Sequence, residues 1–104
     1  MLVFNLKSEW YDKINSGIKT HEYREVKPYW ATRIEKFIKQ ELNNKASGFP
    51  YVEFRKGYPK LSDPKAEFFV VKVKNITIVN GLNTDLKIDK LVYDIELDLS
   101  KKLY

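Results

Sequence analysis

The firmest constraint on the fold is the run from Leu91 to Leu99, in which apolar and acidic residues alternate with a period of two. Successive side chains of a strand point to opposite faces, so Leu91, Tyr93, Ile95, Leu97 and Leu99 share a buried face and Asp94, Glu96 and Asp98 a wet one. The chain must therefore build a sheet with one apolar side. Three further runs fit such a sheet: Leu2 to Lys7, with Leu2, Phe4 and Leu6 in step; Tyr51 to Arg55; and Glu67 to Val79. The last is the strongest β signal, and a bend expected near Asn75 leaves open whether it is one strand or two.

Helical patterning is confined to two places. Ser8 is placed to cap a short helix with Glu9 and Asp12 in its first turn, Trp10 and Ile14 on one face, and Gly17 as its left-handed end. Pro28 suits the first turn of a second helix reaching to about Leu42, where Trp30, Ile34, Phe37, Ile38 and Leu42 form an apolar stripe and Arg33, Lys36 and Lys39 face solvent. Between the helices, Ile18 to Val26 reads as extended, since Lys27 precedes a proline and resists the helical region. Asn43 to Pro50, Pro59 to Pro64 and the segment after Asn80-Gly81 read as loops. Five or six short strands with two helices give one α+β domain over residues 1–104, most economically a small barrel with helices at its openings.

Composition narrows the chemistry. Hydrophobic residues make up 43% of the 104, enough for a folded core. With no cysteine and a single histidine, disulfides, thiolate catalysis, cysteine zinc sites and histidine metal clusters are excluded. No apolar run approaches a membrane helix and the first strand is too short for a signal peptide, so no membrane partner and a cytoplasmic location are expected. A net charge of +5 favours an acidic partner such as RNA or DNA. Most of the cations are lysines, which makes Arg24, Arg33 and Arg55 the more telling ones, because arginine offers planar, bidentate contact.

Charge and aromatic residues crowd into Gly17 to Trp30. Lys19, Glu22 and Arg24 combine an ammonium, a carboxylate and a guanidinium just past a glycine turn, the parts needed to hold an anion and move a proton. The same spacing also fits a solvated edge strand with cross-strand ion pairs. Strict alternation sets Lys19 on the face opposite Glu22 and Arg24, so convergence of the three requires a bulge or turn near Lys19 and Thr20. His21 is a candidate acid or base, or a packing residue; Thr20 is the nearest hydroxyl. Lys27 with Tyr29, and Arg55 with Tyr58 beside Gly57, pair cations with aromatics as phosphate contact and base stacking require, whereas Trp30 is in register with the core. The row Asp94, Glu96, Asp98 reads as a solvated face, and no metal site is expected.

Gly17, Lys19, Glu22 and Arg24 match all four positions of the GxKxxExR motif of the ASCH domain family, a branch of the PUA-like superfold. With the preceding strand and helix, the run from Glu22 to Trp30 and the later Val52 to Tyr58, the chain resembles small single-domain ASCH proteins of bacteria and phages, most strongly up to Tyr58. The resemblance implies a PUA-like β-barrel with a cleft beside the motif strand that binds RNA or a nucleotide, through Lys19, Arg24, Lys27, Tyr29, Arg55 and Tyr58. It implies two alternatives: a ribonuclease-like hydrolase with Lys19, Glu22 and Arg24 as its catalytic set and a divalent cation as its one conceivable cofactor, or a non-catalytic accessory protein binding a small nucleotide or a protein. One family branch consists of acyl-cytidine amidohydrolases, which use the motif lysine, a threonine three residues later and a glutamate on a later strand. Here Glu22 stands at the threonine position and neither Glu53 nor Glu67 aligns securely as the glutamate, so that activity is disfavoured.

Overall fold

The computed structural model describes residues 1–60 and 62–103. Leu2–Leu6 (β1) leads into helix Ser8–Asn15 (α1), then His21–Glu25 (β2), helix Pro28–Phe37 (α2), Tyr51–Lys56 (β3), Phe68–Asn80 (β4) and Leu91–Lys102 (β5). The five strands form one sheet in the order β1-β3-β4-β5-β2, in which only the β1/β3 pair is parallel. This sheet curls into a half-barrel carrying two helices, the small α+β barrel that the strand and helix patterns predict and the PUA-like form that the motif resemblance implies.

An aromatic ladder holds the helices to the sheet. Trp30 of α2 packs on Phe4 (5.2 Å between centroids), Phe4 on Phe54 (5.5 Å), Phe54 on Phe69 (5.4 Å) and Phe69 on Tyr11 of α1 (5.2 Å). These tilted and offset rings join α2, β1, β3, β4 and α1 in one apolar column. Ile14, Ile34, Val52 and Ile95 pack into the same core and are fully buried.

Several local features differ from the sequence reading. Ser8 is the first residue of α1 and makes no capping bond; Lys7 stands at the cap position. Gly17 does take the left-handed backbone (φ 85°) and donates its N–H to the Ile14 carbonyl. The second helix covers the expected span, but its last turn, Ile38–Leu42, widens to a π-helix. β4 is a single strand, with register breaks between Val71 and Lys72 and between Val73 and Asn75 that supply the expected bend. Leu91 is 58% exposed rather than inward-facing. It pairs with Asn80 as the last rung of the β4/β5 ribbon, beyond the core that ends near Ile76 and Tyr93, so alternation persists there with nothing to pack against.

Candidate functional site

The sheet order leaves β1 and β2 as edges, and curling brings those edges to face each other. Main-chain bonds show which groups remain at the seam. Val26 donates to Leu91 and Leu97 donates to Thr20, so on β2 the even residues bond β5, and the N–H and C=O groups of Tyr23 and Glu25 point the other way. Gly57 donates to the Leu6 carbonyl, so on β1 the groups of Asn5 point away from β3. Asn5, Tyr23 and Glu25 all line one cleft of about 380 Å³. The cleft is thus the place where the barrel is left unclosed by hydrogen bonds.

Side chains of the charged motif fill its floor. Glu22 points inward with its side chain 5% exposed. One of its oxygens, Oε2, accepts from Arg24 Nε at 2.8 Å and lies 2.7 Å from Arg24 Nη2, while Oε1 is 3.7 Å from Lys19 Nζ. The guanidinium lies over the packed pair of rings, 4.8 Å from Phe4 and 4.9 Å from Trp30, and the Lys19 ammonium stands 4.7 Å over Trp10. Lys19 reaches Glu22 because residues 16–20 do not continue the strand: Gly17 turns the chain and the Lys19 N–H donates to the Lys13 carbonyl at 2.9 Å. The turn required by strict alternation is present where expected.

Electrostatically the floor is balanced. Burial pushes the Glu22 carboxyl up from its ordinary value; the Arg24 and Lys19 charges and the Arg24 hydrogen bond pull it back down, and Asp85 raises it. Asp85 is the member that sequence reasoning missed. It arrives from the loop between β4 and β5, sixty-six positions beyond Lys19, and its Oδ2 lies 2.8 Å from Lys19 Nζ. Lys19 and Arg24 are thereby matched by Glu22 and Asp85. Glu25 at the cleft wall is paired with Lys90 at 3.3 Å. That leaves Lys7 and Lys27 at the mouth, one at the end of each edge strand, as exposed cations with no ion pair among the described residues.

The structure brings Lys19, Glu22, Arg24 and Lys27 together and leaves Tyr29, Arg55 and Tyr58 outside the cleft. Tyr29 is exposed on α2, with the Arg33 guanidinium 3.6 Å over its ring. Arg55 is ion-paired with Glu53 on the outer side of β3, and Tyr58 is 90% exposed on the turn after Gly57. Glu67 pairs with Lys56, away from the cleft. Among the described residues no group of three or more His, Asp or Glu is placed to hold a metal ion, and no helix is long and apolar enough to cross a membrane.

Fold and site together define a small PUA-like half-barrel with an ion-paired, aromatic-walled cleft at its open seam. Compared with protein-family models, curated proteins and solved structures, the chain matches none.

Proposed function

We propose that this protein is an RNA- or nucleotide-binding domain of the ASCH type that acts in the cytoplasm and takes its ligand in the seam between β1 and β2. The observation that carries the reading is the convergence of the motif residues at one opening. Lys19, Glu22 and Arg24 meet between Trp10 and Trp30, edge-strand main-chain groups face the same space, and Lys7 and Lys27, exposed and without an ion pair among the described residues, flank its mouth. Aromatic faces and main-chain donors and acceptors suit a base, and the rim lysines suit phosphate. Tyr29, Arg55 and Tyr58 lie on the surrounding surface, where they would meet only a ligand longer than one nucleotide.

Fluorescence anisotropy with a labelled single-stranded RNA, titrated with salt, tests this. Binding is expected to weaken steeply as salt rises, and Lys27→Ala is expected to lower affinity across sequences while reducing the log–log salt slope by about 1, as loss of one phosphate contact does. Native mass spectrometry of the purified protein separates a small nucleotide from a polymer. Absence of binding to RNA, DNA and nucleotides alike, or binding indifferent to salt, refutes the reading.

A further inference from the structure

A second groove opens on the outer side of β2, where the charged motif has left one residue without a role. His21 is directly opposite Glu96 in the ladder but reaches diagonally to Asp94, placing Nδ1 2.6 Å from Oδ1. Asp94 was expected to be one of a solvated row; it is instead the fixed partner of the chain's single histidine. A carboxylate can only accept, so Nδ1 carries the hydrogen, and in the neutral ring the lone pair is on Nε2. The ring is held nearly parallel to Tyr23, 10° between planes at 6.1 Å, which fixes its orientation as well as its tautomer. This is the base-and-orienter half of a catalytic constellation.

The surroundings supply the other parts. The groove measures about 380 Å³ and is lined by Lys19, His21, Tyr23, Thr84, Asp85 and Lys87. Lys87 is an exposed cation that can face a phosphodiester, whereas Lys19 is held by Asp85 at 2.8 Å. Lys87 takes a left-handed backbone (φ 52°), a strained conformation for a side-chain-bearing residue, of the kind retained where a site requires it. Lys19, Tyr23 and Asp85 line both this groove and the cleft, so a strand held in one continues into the other. Glu22 is poorly placed to act as a base, since Arg24 and Lys19 already engage its oxygens.

We infer that this groove is a general-base site for RNA strand transesterification, with His21 as the base, Asp94 as its positioning residue, and Lys87 facing the phosphate. The inference rests on the proposed binding of RNA in the adjoining cleft. In the step, His21 Nε2 takes the proton of a ribose 2′-hydroxyl, and the oxygen's electron pair forms a bond to the adjacent phosphorus. The bond from phosphorus to the 5′-oxygen breaks, and that oxygen takes a proton from water. The hydroxide left behind recovers the proton from His21. The products are a 2′,3′-cyclic phosphate and a 5′-hydroxyl, with no net change in the protein.

The test measures binding and cleavage separately on one end-labelled single-stranded RNA and on its all-2′-deoxy counterpart. The protein is expected to bind both, to cut only the ribose form, and to leave cyclic phosphate ends. His21→Ala is expected to bind as the parent does and to cut at least about 100-fold more slowly, the low end for a general base. Asp94→Asn, which keeps the size of the partner but no longer dictates the tautomer, is expected to lose about 10- to 100-fold. Circular dichroism shows whether each variant is folded; should His21→Ala not be, His21→Gln takes its place. Binding without cleavage, cutting of the deoxy strand, or a folded His21 variant that cuts at the parental rate overturns the inference and leaves the binding reading standing. Absence of RNA binding removes both.

Discussion

Arg24→Met isolates what the guanidinium does for the seam. Methionine keeps apolar bulk against Phe4 and Trp30, so the main loss is the charge and the hydrogen bond to Glu22 Oε2. Glu22 is then left 5% exposed with only the Lys19 ammonium 3.7 Å away, and that ammonium is already held by Asp85 at 2.8 Å. Breaking a buried ion pair from one side typically costs about 3–5 kcal/mol, and a guanidinium that is one-fifth exposed points to the low end, about 3 kcal/mol. For a domain of this size that is a fall in Tm of at least about 12 °C. The loss should depend on pH. Burial already sets the folded-state pKa of Glu22 above its ordinary value, and Arg24 is the strongest influence holding it down. Removing Arg24 moves it higher, so between the ordinary and the folded values the native state binds more protons than the unfolded one and gains stability as pH falls. The deficit of Arg24→Met against the parent should therefore be largest at pH 7 and shrink toward pH 5. Urea unfolding followed through Trp10 and Trp30 at both pH values, repeated in a Glu22→Gln background, reads the effect; the neutral amide should cancel about 0.5–3 kcal/mol of the loss. A deficit below about 1 kcal/mol, or one equal at the two pH values, would falsify the claim that Glu22 is a buried charge dependent on Arg24.

Three further outcomes are expected. Phe54→Ala, at a fully buried ring between Phe4 and Phe69, should cost about 3–5 kcal/mol in urea or thermal unfolding, since the aromatic ladder cannot close over the cavity. Gly17→Ala should cost about 1–2 kcal/mol through its left-handed backbone alone, because an added Cβ there meets nothing within 4 Å; a neutral result shows that the turn relaxes. Tyr58→Ala should leave stability within about 0.5 kcal/mol, the side chain being 90% exposed, and weaken binding of an extended RNA but not of a mononucleotide.

What the sequence reveals here follows the range of the interactions involved. Period-two alternation located the strands because each sheet has one dry face, and it failed at Leu91 because residues repeat the pattern one rung past the core they would pack against. The approach of Lys19 to Glu22 was legible as a conditional, since Gly17 two positions earlier can turn the chain. The widening of Ile38–Leu42 into a π-helix carried no such signal, for its apolar stripe serves an α-helix equally well. Asp85 on Lys19 and Asp94 on His21 were out of reach for a different reason. Each joins positions more than sixty apart, and each depends on β5 lying beside β2, a fact of strand order rather than of any local run.

Strand order also explains why the charge is concentrated where it is. β1 is held to β3 and β2 to β5, so the two free edges meet with no ladder between them, and an open edge is a hazard unless side chains occupy or charge it. In this chain the task falls to β2 and the residues that flank it. Glu22 and Arg24 point inward and close the seam against Phe4 and Trp30, while Lys7 and Lys27 stand charged at the ends of the two edges. The same residues that keep the barrel from pairing with a neighbour's strand therefore leave a cleft with aromatic walls, free main-chain groups and a cationic rim. On the proposed reading, one set of side chains both closes the seam and binds the ligand, which is why removing Arg24 should lower stability as well as affinity, and why Lys27, which closes nothing, is the variant that separates the two.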